Sequence, residues 1–528
     1  MTTTTTRANE TRARLPASYF TRHERETRDA RRLPASAERP PRPPLVSRRA
    51  ALIIDARTAD LSRPIDPPVR VPRPVRTTRT PDAFHKSGEL SEAPLPLSDA
   101  VLSGDLSSAP NEVDLLIVGA GLSGATLAER CSRELGMTSV VIDKRDHIGG
   151  NCYDYVTSHG IRASKYGAHL FHTQNDRVWE YVRRFSEWIP FDHRVRGLVR
   201  DTNGVEKLVP IPPTSVTVNA LFPDDKPVLN ERDMEAWYAA RRVAPPVDPK
   251  TNAPRFPSDG EEAALSRVGP ELYEKIFKHY TKKQWDKYPN ELDASVLMRL
   301  PCRTTTDDRY FGDAYQALPR RGYTRLFENM LLRDPNDNIT LRLNCDFFEH
   351  KKNGTLPKHK LLVYTGQIDS YYAALGMPKL EYRSLRFEEE YVEKPEGGFY
   401  QEAMVVNHPG PDTPFTRVVE YKHTPNQPTS PTSDVSGGTL IAREYSTDVG
   451  EPYYPVPNPE NRELYESYAE LAAKEDGVAF VGRLASYKYF NMDQAVLNAL
   501  EMFDNLKENG VLQPKRAPGT FPEGDGMK

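Results

Sequence analysis

The sequence predicts an α/β protein with a parallel βαβ core, an inserted helical segment and an antiparallel sheet, preceded by a long arm without a core-forming pattern. Three observations predict it. Residues 113–151 combine an apolar run, a Gly-x-Gly-x-x-Gly turn, a helical stretch and a second apolar run ending on an acid. Residues 231–300 carry helical periodicity, with amphipathic stretches at 234–242 and 271–280. From residue 339 onward, β-type runs recur often enough to build a sheet.

In the first of these regions, residues 115–118 read as a strand, and Gly119, Gly121 and Gly124 follow it. Gly119 permits the tight turn, Gly121 lets the backbone approach a pyrophosphate, and Gly124 lets the next helix, 125–135, lie against the strand. The N-terminus of that helix offers unpaired N–H groups and a positive dipole end to phosphates. A second strand, 139–142, ends in Asp143, placed to accept hydrogen bonds from ribose hydroxyls. A further pair, Gly149-Gly150, comes just after this acid. A glycine pair there lets the chain pass close to a cofactor and favours FAD over a nicotinamide dinucleotide.

At 528 residues the chain can hold two or three domains and bury a substantial core. A formal net charge of -3 gives no general case for nucleic-acid or membrane binding. Cys131, Cys152, Cys302 and Cys345 form neither a C-x-x-C pair nor a His/Cys metal pattern, so free thiols in a reducing cytoplasm are expected. No apolar run reaches the length of about 18 residues that a membrane span needs. The charged start lacks the apolar stretch of a secretory signal.

Residues 1–110 are expected to be a disordered Pro/Arg-rich extension, because few large apolar side chains are present to offset the entropy of ordering. The other boundaries are expected at 111–230 for the first part of the dinucleotide-binding core and 231–318 for the helical segment with its loop. Residues 319–510 then supply the antiparallel sheet and the return to the core, and 511–528 a flexible tail.

Along the chain, residues 165–172 place His169 and His172 three apart, but no third ligand lies at a suitable spacing, so no metal is expected. Residues 178–185 read as a helix, 191–199 as a strand, and the proline-rich 209–213 as a rigid connector. Residues 301–315, PCRTTTDDRYFGDAY, are polar and aperiodic, which predicts a mobile loop carrying Arg303, Arg309 and Tyr315. A helix is expected at 323–332. Strands follow at 339–348, 361–364, 385–392, 403–406, 416–421 and 438–445, taken together as the antiparallel sheet. The chain closes with a helix at 461–474, a strand at 478–481 and a helix at 493–508.

The blocks GAGLSGA, DKRDHIGGN, KYGAHLFHT, YTKKQW, PCRTTTDDRYFGDAYQ, LEYRSLRFE, FTRVVEYKH, EPYYPV and GRLASYKYFNMDQA occur in this order over residues 113–505. In these blocks the chain resembles the bacterial-type UDP-galactopyranose mutases. The resemblance implies a Rossmann-like FAD-binding domain, an inserted small helical domain and an antiparallel sheet over the flavin. It implies an isomerase that contracts UDP-galactopyranose to UDP-galactofuranose for cell-surface glycans, with N5 of reduced FAD as nucleophile on the anomeric carbon. Relatives are commonly homodimers.

The same resemblance assigns residues. Departing UDP develops diphosphate charge, which suits fixed guanidiniums. Arg303 and Arg417 match the family's two catalytic arginines, and Tyr315, Tyr454 and Tyr489 its phosphate-contacting tyrosines. Tyr280, with Thr281 beside it, matches the aromatic that stacks on uracil, and Trp285 the one near sugar and loop. His193 and Asn407 fall at substrate-contacting positions. On the cofactor side the matches are Gly119, Gly121, Ser123, Gly124, Asp143, Lys144, Gly150, Asn151, His169, Leu170 and Arg483, then Phe490, Asn491, Met492, Asp493, Gln494 and Ala495. Asn491 departs from the pattern, since better-known relatives carry an Asp there.

Read without the resemblance, Arg417 is an ordinary salt-bridge arginine. Glu444 lies in a block that matches a catalytically relevant glutamate of the family, and a strand carboxylate satisfied by a neighbouring arginine explains it nearly as well. The βαβ unit alone equally fits an FAD-dependent amine oxidase or desaturase-like oxidoreductase. The flavin's reductant and the partner of the arm are not legible.

Overall fold

Successive residues of one strand, Leu115, Leu116 and Ile117, are all fully buried, which requires cover on both faces of the sheet that contains them. The computed structural model describes residues 95–513, apart from positions 300, 335, 394, 396–397 and 429–436, and supplies that cover. The sheet is five-stranded and parallel, in the order Ile339–Arg342, Ser139–Ile142, Glu112–Val118, Lys358–Tyr364, Val478–Phe480. Leu115 and Ile117 face a core shared with the helices Leu122–Leu135, Gly322–Leu331 and Met492–Glu508. Leu116 faces a second core with Phe347, Tyr372, Tyr468 and Phe480.

Two runs expected in the antiparallel sheet belong here instead. Ile339–Arg342 and Lys358–Tyr364 are parallel strands. The strand expected over 339–348 also stops early, because Asp346 accepts from the N–H groups of Phe348 and Glu349 and starts the helix Phe347–Asn353. A short apolar run does not carry the identity of its partner.

The other sheet is seven-stranded, in the order Tyr454–Pro455, Tyr382–Glu393, Gly438–Thr447, Arg417–Glu420, Val405–Asn407, Val195–Arg200, Glu206–Ile211. It is antiparallel except where Val405–Asn407 runs parallel to Val195–Arg200. The strand expected from 191 begins at Val195, and the expected connector at 209–213 is largely the edge strand Glu206–Ile211. Pro210 is tolerated there because an edge strand has one side unpaired.

The helical segment contains Glu231–Arg241, Gly260–Leu272, His279–Trp285 and Ser295–Met298. Asn230 and Asp259 cap the first two, accepting from the N–H groups of Asp233 and Glu262. A π-helical stretch, Tyr273–Lys278, leads into His279–Trp285, a geometry often found at functional sites. Met234, Leu272, Ile276 and Phe277 share a core with Val195, Val209, Leu440 and Ala442, so this segment and the seven-stranded sheet stabilise each other.

The boundary expected at residue 110 moves. Leu95 donates its N–H to Glu328 at 2.7 Å, Val101 packs on the core, and Leu106 and Ala109 are buried. The carbonyl of Val101 accepts from the N–H of Leu343 at 2.7 Å. Isolated apolar residues in Ser- and Pro-rich text have no period, so this strap was invisible to pattern reading. Leu512 is likewise buried, which shortens the expected tail. The rest of the expected arm, residues 1–94, and of the tail, 514–528, lies outside the described residues. A chain beginning at Asn111 is expected to be less stable than one beginning at Leu95 by at least about 2 kcal/mol, the scale for one buried leucine. Coincident denaturant midpoints would show that the strap adds nothing.

Candidate functional site

The glycine turn is as tight as its spacing predicts. A Cβ on Gly124 would lie 1.9 Å from the Gly119 carbonyl oxygen, and Gly119 itself sits at φ 108°. Gly121 differs, because a Cβ there would meet nothing nearer than Gly150 Cα at 3.7 Å. The second glycine pair folds back on the first turn: Gly149 donates to the Ala120 carbonyl at 2.9 Å. Asp143 is tied to the same turn, with one oxygen accepting from Ala120 N–H and the other from Arg145 N–H, both at 2.9 Å. Asn151 accepts from Arg145 at 2.9 Å, and exposed Lys144 pairs with Glu451 at 2.8 Å.

The helix Met492–Glu508 packs along Leu122–Leu135. Ser123 Oγ sits where a Cβ on Gly482 would come within 2.7 Å of it. Next to that glycine, Arg483 donates to the carbonyls of Tyr453, at 3.2 Å, and Phe490. Bare glycine backbone, helix N-termini and a guanidinium tied only to carbonyls fit a dinucleotide pyrophosphate. His169 donates from Nδ1 to the Gly167 carbonyl at 2.8 Å, and burial pushes its pKa down to about 4. The ring is therefore neutral at pH 7, with Nε2 left as an acceptor. Leu170 packs against both the parallel-sheet core and the helical-segment core.

Beside this cradle lies a cluster of aromatic and basic side chains. Arg417 opens its strand directly opposite Asn407 on one side and Glu444 on the other. Its Nε donates to Glu444 Oε2 at 2.6 Å, while Glu444 Oε1 is buried without a hydrogen-bond partner. Burial opposes the charge on Arg417, but Glu444, Tyr280 and Tyr454 outweigh it and hold the pKa well above its ordinary value. Tyr454 and Tyr489 stack at 5.1 Å, and Trp285 stands 6.1 and 5.9 Å from them. Burial raises the phenol pKa of Tyr280, Tyr310 and Tyr454, so all three keep their protons at neutral pH. Thr281 is buried beside Tyr280.

His193 is buried with Nδ1 unpartnered, and burial, then Arg417 and His172, bring its pKa down to about 3. Protonated hydroxyl donors around a fixed guanidinium suit a phosphate ester with an uncharged organic part.

The remaining expected residues are held by contacts of their own. Arg303 donates to the Arg309 carbonyl at 2.7 Å and pairs with Asp307 at 3.4 Å, so its own loop holds it. That loop is pinned by Asp308 to Arg194 and Arg196, each at 2.9 Å, and by Asp313 to His172 at 2.7 Å. Tyr315 donates to Asp176 at 2.8 Å and stacks on Trp179 at 5.0 Å, on the side of the helix Asp176–Val182. Asp493 accepts from Thr173 at 3.0 Å, and burial raises its pKa. In the helix-starting run that continues through Met492 and Ala495, Asn491 donates its N–H to Gln494 Oε1 at 2.8 Å. Its side-chain oxygen accepts from Arg299 at 2.9 Å.

Two residues escaped sequence reading. Arg299 stands over Tyr489, and Lys283 donates to the carbonyls of His408, Thr413 and Phe415, with burial lowering its pKa to about 8. Both look like solvated surface charges in the sequence, and only long-range pairing reveals them. His169 and His172 serve different partners. Among the described residues no group of three or more His, Cys, Asp or Glu is placed to hold a metal ion, and no helix is long and apolar enough to cross a membrane.

The cradle fits a dinucleotide-binding protein of Rossmann-like fold. Comparison with known proteins gives the same class and narrows it. Residues 117–185 match the profile of the NAD(P)-binding Rossmann-like domain, and residues 275–489 that of UDP-galactopyranose mutase. The chain is 35% identical over 416 residues to a probable UDP-galactopyranose mutase of Klebsiella pneumoniae, covering 78% of this chain and 99% of that one. It is also 35% identical over 393 residues to the dTDP-fucopyranose mutase of Escherichia coli, covering 73% and 96%. Identity to the UDP-galactopyranose mutase of Mycoplasma pneumoniae is 31% over 407 residues, covering 75% and 96%. A crystal structure of reduced UDP-galactopyranose mutase shares the fold, with a TM-score of 0.57 and 17% identity over 75% of this chain and 94% of that one. The chain belongs to the UDP-galactopyranose mutase family, which is a family of isomerases. Family and Rossmann-like domain together point to a flavin, FAD, as the cofactor.

Two predictions follow from this geometry. Gly121→Val should leave the protein folded but deplete its FAD, whereas Gly124→Val should also lower the melting temperature, because a clash at 1.9 Å with backbone cannot relax cheaply. Full flavin occupancy in Gly121→Val would mean that the pyrophosphate lies elsewhere. The second concerns His193, whose pKa falls from 6.5 unfolded to about 3 folded. Between these values the unfolded chain binds a proton that the folded one refuses. This stability is complete above pH 6.5 and is lost as pH falls towards 3, on the order of 5 kcal/mol over that whole range and about 2–3 kcal/mol between pH 6.5 and 4.5. His193→Asn should flatten the acid side of the stability profile, measured by denaturant titration between pH 6.5 and 4.5; an unaltered slope would contradict a neutral buried ring.

Proposed function

We propose that the protein interconverts UDP-galactopyranose and UDP-galactofuranose in its reduced FAD form, with Arg417 and Arg303 as the arginines that hold the diphosphate. The observation that carries the reading is Arg417, kept charged by buried Glu444 and ringed by Tyr280, Tyr454 and Tyr489 next to the dinucleotide cradle. When bound, reduced FAD supplies a nucleophilic N5 for the anomeric carbon, without net oxidation of the sugar.

The protein's own residues do the rest. Arg417 cannot swing, since the sheet register and Glu444 fix it, and it therefore meets charge on departing UDP without reorganising. Tyr454 and Tyr489 donate hydroxyls to the diphosphate without altering the charge of the site. Tyr280 and Thr281 hold the nucleobase, and Trp285, His193 and Asn407 line the sugar. Neutral His169 offers Nε2 as an acceptor beside the flavin. Arg303 is bound to Arg309 and Asp307 of its own loop, and exchanging those contacts for the diphosphate closes the loop and excludes water. Tyr315, which donates to Asp176 and stacks on Trp179, must exchange those contacts to reach the diphosphate. The galactofuranose formed serves cell-surface glycans, and the protein acts as a cytoplasmic homodimer. Family membership disfavours an amine oxidase or desaturase, which would need no arginine and tyrosine set.

Anaerobic, dithionite-reduced protein should convert UDP-galactofuranose to UDP-galactopyranose, read by product chromatography. Because an equally similar relative is a dTDP-fucopyranose mutase, the dTDP-linked sugar is run in parallel. Faster turnover of that sugar would reassign the substrate, and turnover of neither would overturn the reading. Arg417→Ala and Arg303→Ala should each lower kcat/KM by at least about a hundredfold, the scale for losing one charge-stabilising donor, with FAD content unchanged.

A further inference from the structure

We propose that Arg299 is a third arginine of the nucleotide-sugar site, held by Asn491 as an uncharged partner so that its positive charge stays available to the substrate's diphosphate. The proposal rests on the nucleotide-sugar reading above and extends it to two residues whose roles that reading leaves open.

Arg299 follows the helix Ser295–Met298 and stands just before the Arg303 loop. Its Nη2 donates to Asn491 Oδ1 at 2.9 Å, and its guanidinium carbon lies 3.9 Å from the centroid of the Tyr489 ring. At that distance a guanidinium is held over a ring face by its quadrupole. Tyr489 in turn stacks on Tyr454, and Tyr454 is among the groups that act on Arg417. A continuous wall therefore runs from Arg299 through two stacked tyrosines to Arg417. The Tyr310 phenol, raised by burial, is drawn back down by both Arg417 and Arg299, so both cations bear on one buried hydroxyl.

The partners of these arginines differ in charge. Arg417 is paired with a carboxylate, Glu444, and Arg303 with another, Asp307. Arg299 instead bonds a side-chain amide. An amide orients the guanidinium yet leaves the full charge in place, whereas a carboxylate would cancel most of it. Stability does not favour this choice. Asn491 stands at the N-terminus of the 17-residue helix Met492–Glu508, where an aspartate caps as well as asparagine and gains from the helix dipole. The neutral residue forgoes that gain and preserves a cation at the exposed end of the tyrosine stack. Arg299 is exposed, so its field reaches an anion through solvent and is screened by salt.

The test is UDP binding to oxidised, FAD-loaded protein, followed by tryptophan fluorescence at low and high salt. It compares wild type, Arg299→Ala, Asn491→Asp and the double variant at equal FAD content. Each single substitution should weaken UDP binding about three- to tenfold at low salt, and less at high salt, as loss of one exposed charge predicts. The double variant lowers the local charge by two units, one cation removed and one carboxylate added, and should bind UDP more weakly than either single variant at low salt. Asn491→Asp should melt no lower than wild type, which separates the charge effect from unfolding. Unchanged binding in the single variants would overturn the proposal. So would weakened binding in Asn491→Asp alongside unchanged binding in Arg299→Ala, because the added carboxylate would then act on UDP without the guanidinium. Failure of wild type to bind UDP at any salt would instead sink the nucleotide-sugar reading on which the proposal stands.

Discussion

The pairing of Arg417 with Glu444 is the constraint around which the site is built. Taking a guanidinium and a carboxylate out of water costs several kcal/mol per ion unless geometry and further bonds compensate. Here the compensation is architectural. Glu444 faces Arg417 on one neighbouring strand and Phe387 on the other, so sheet register alone sets the pair in place. Glu444 keeps one oxygen for Arg417 and one without a partner, and the backbone crossing behind it must be narrow. Gly167 makes that crossing, where a Cβ would press within 3.2 Å of both Glu444 Oε1 and Phe387, at φ 85°. The glycine in Lys-Tyr-Gly-Ala-His is thus explained by a carboxylate nearly three hundred positions away.

From that pair the rest of the arrangement can be traced. The parallel sheet and its helices form one set of cores, and the seven-stranded sheet with the helical segment forms another. Leu170 and Phe191 pack against both, so the seam between the sets is apolar at its base and polar where Arg417, His169 and His193 line it. Burial then acts in opposite directions on different groups. It keeps histidines neutral and tyrosines protonated, while Glu444 keeps Arg417 charged. The result is a site with its positive charge concentrated in guanidiniums and its hydrogen bonding spread over neutral hydroxyls.

Local patterning made some features legible in advance. The glycine turn, its helix and the acid after the second strand are contiguous in sequence, and the backbone geometry at Gly119 and Gly124 follows from sterics alone. Within residues 231–298 the amphipathic stretches expected at 234–242 and 271–280 fall on or beside helices that share a core with the seven-stranded sheet. Residues 242–259, read as helical with the rest, form no helix, because their prolines and turns break the period. Misassignments arose where partners are distant. Ile339–Arg342 and Lys358–Tyr364 have the composition of any short strand, and nothing within them says which sheet they join. The strap at 95–110 carries isolated apolar residues that acquire meaning only against the core they cover.

Family blocks in the linear chain already propose the arginines, tyrosines and glycines of a mutase site, because those blocks record residue type and order. They did not say what each side chain touches. Tertiary pairing alone ties Arg303 to its own loop, turns Tyr315 towards Asp176, sets Lys283 among three carbonyls and bonds Asn491 to Arg299. The physical reason is the range of the forces concerned. Backbone sterics and helix periodicity act over a few residues, whereas ion pairs, stacking and burial depend on where distant segments meet.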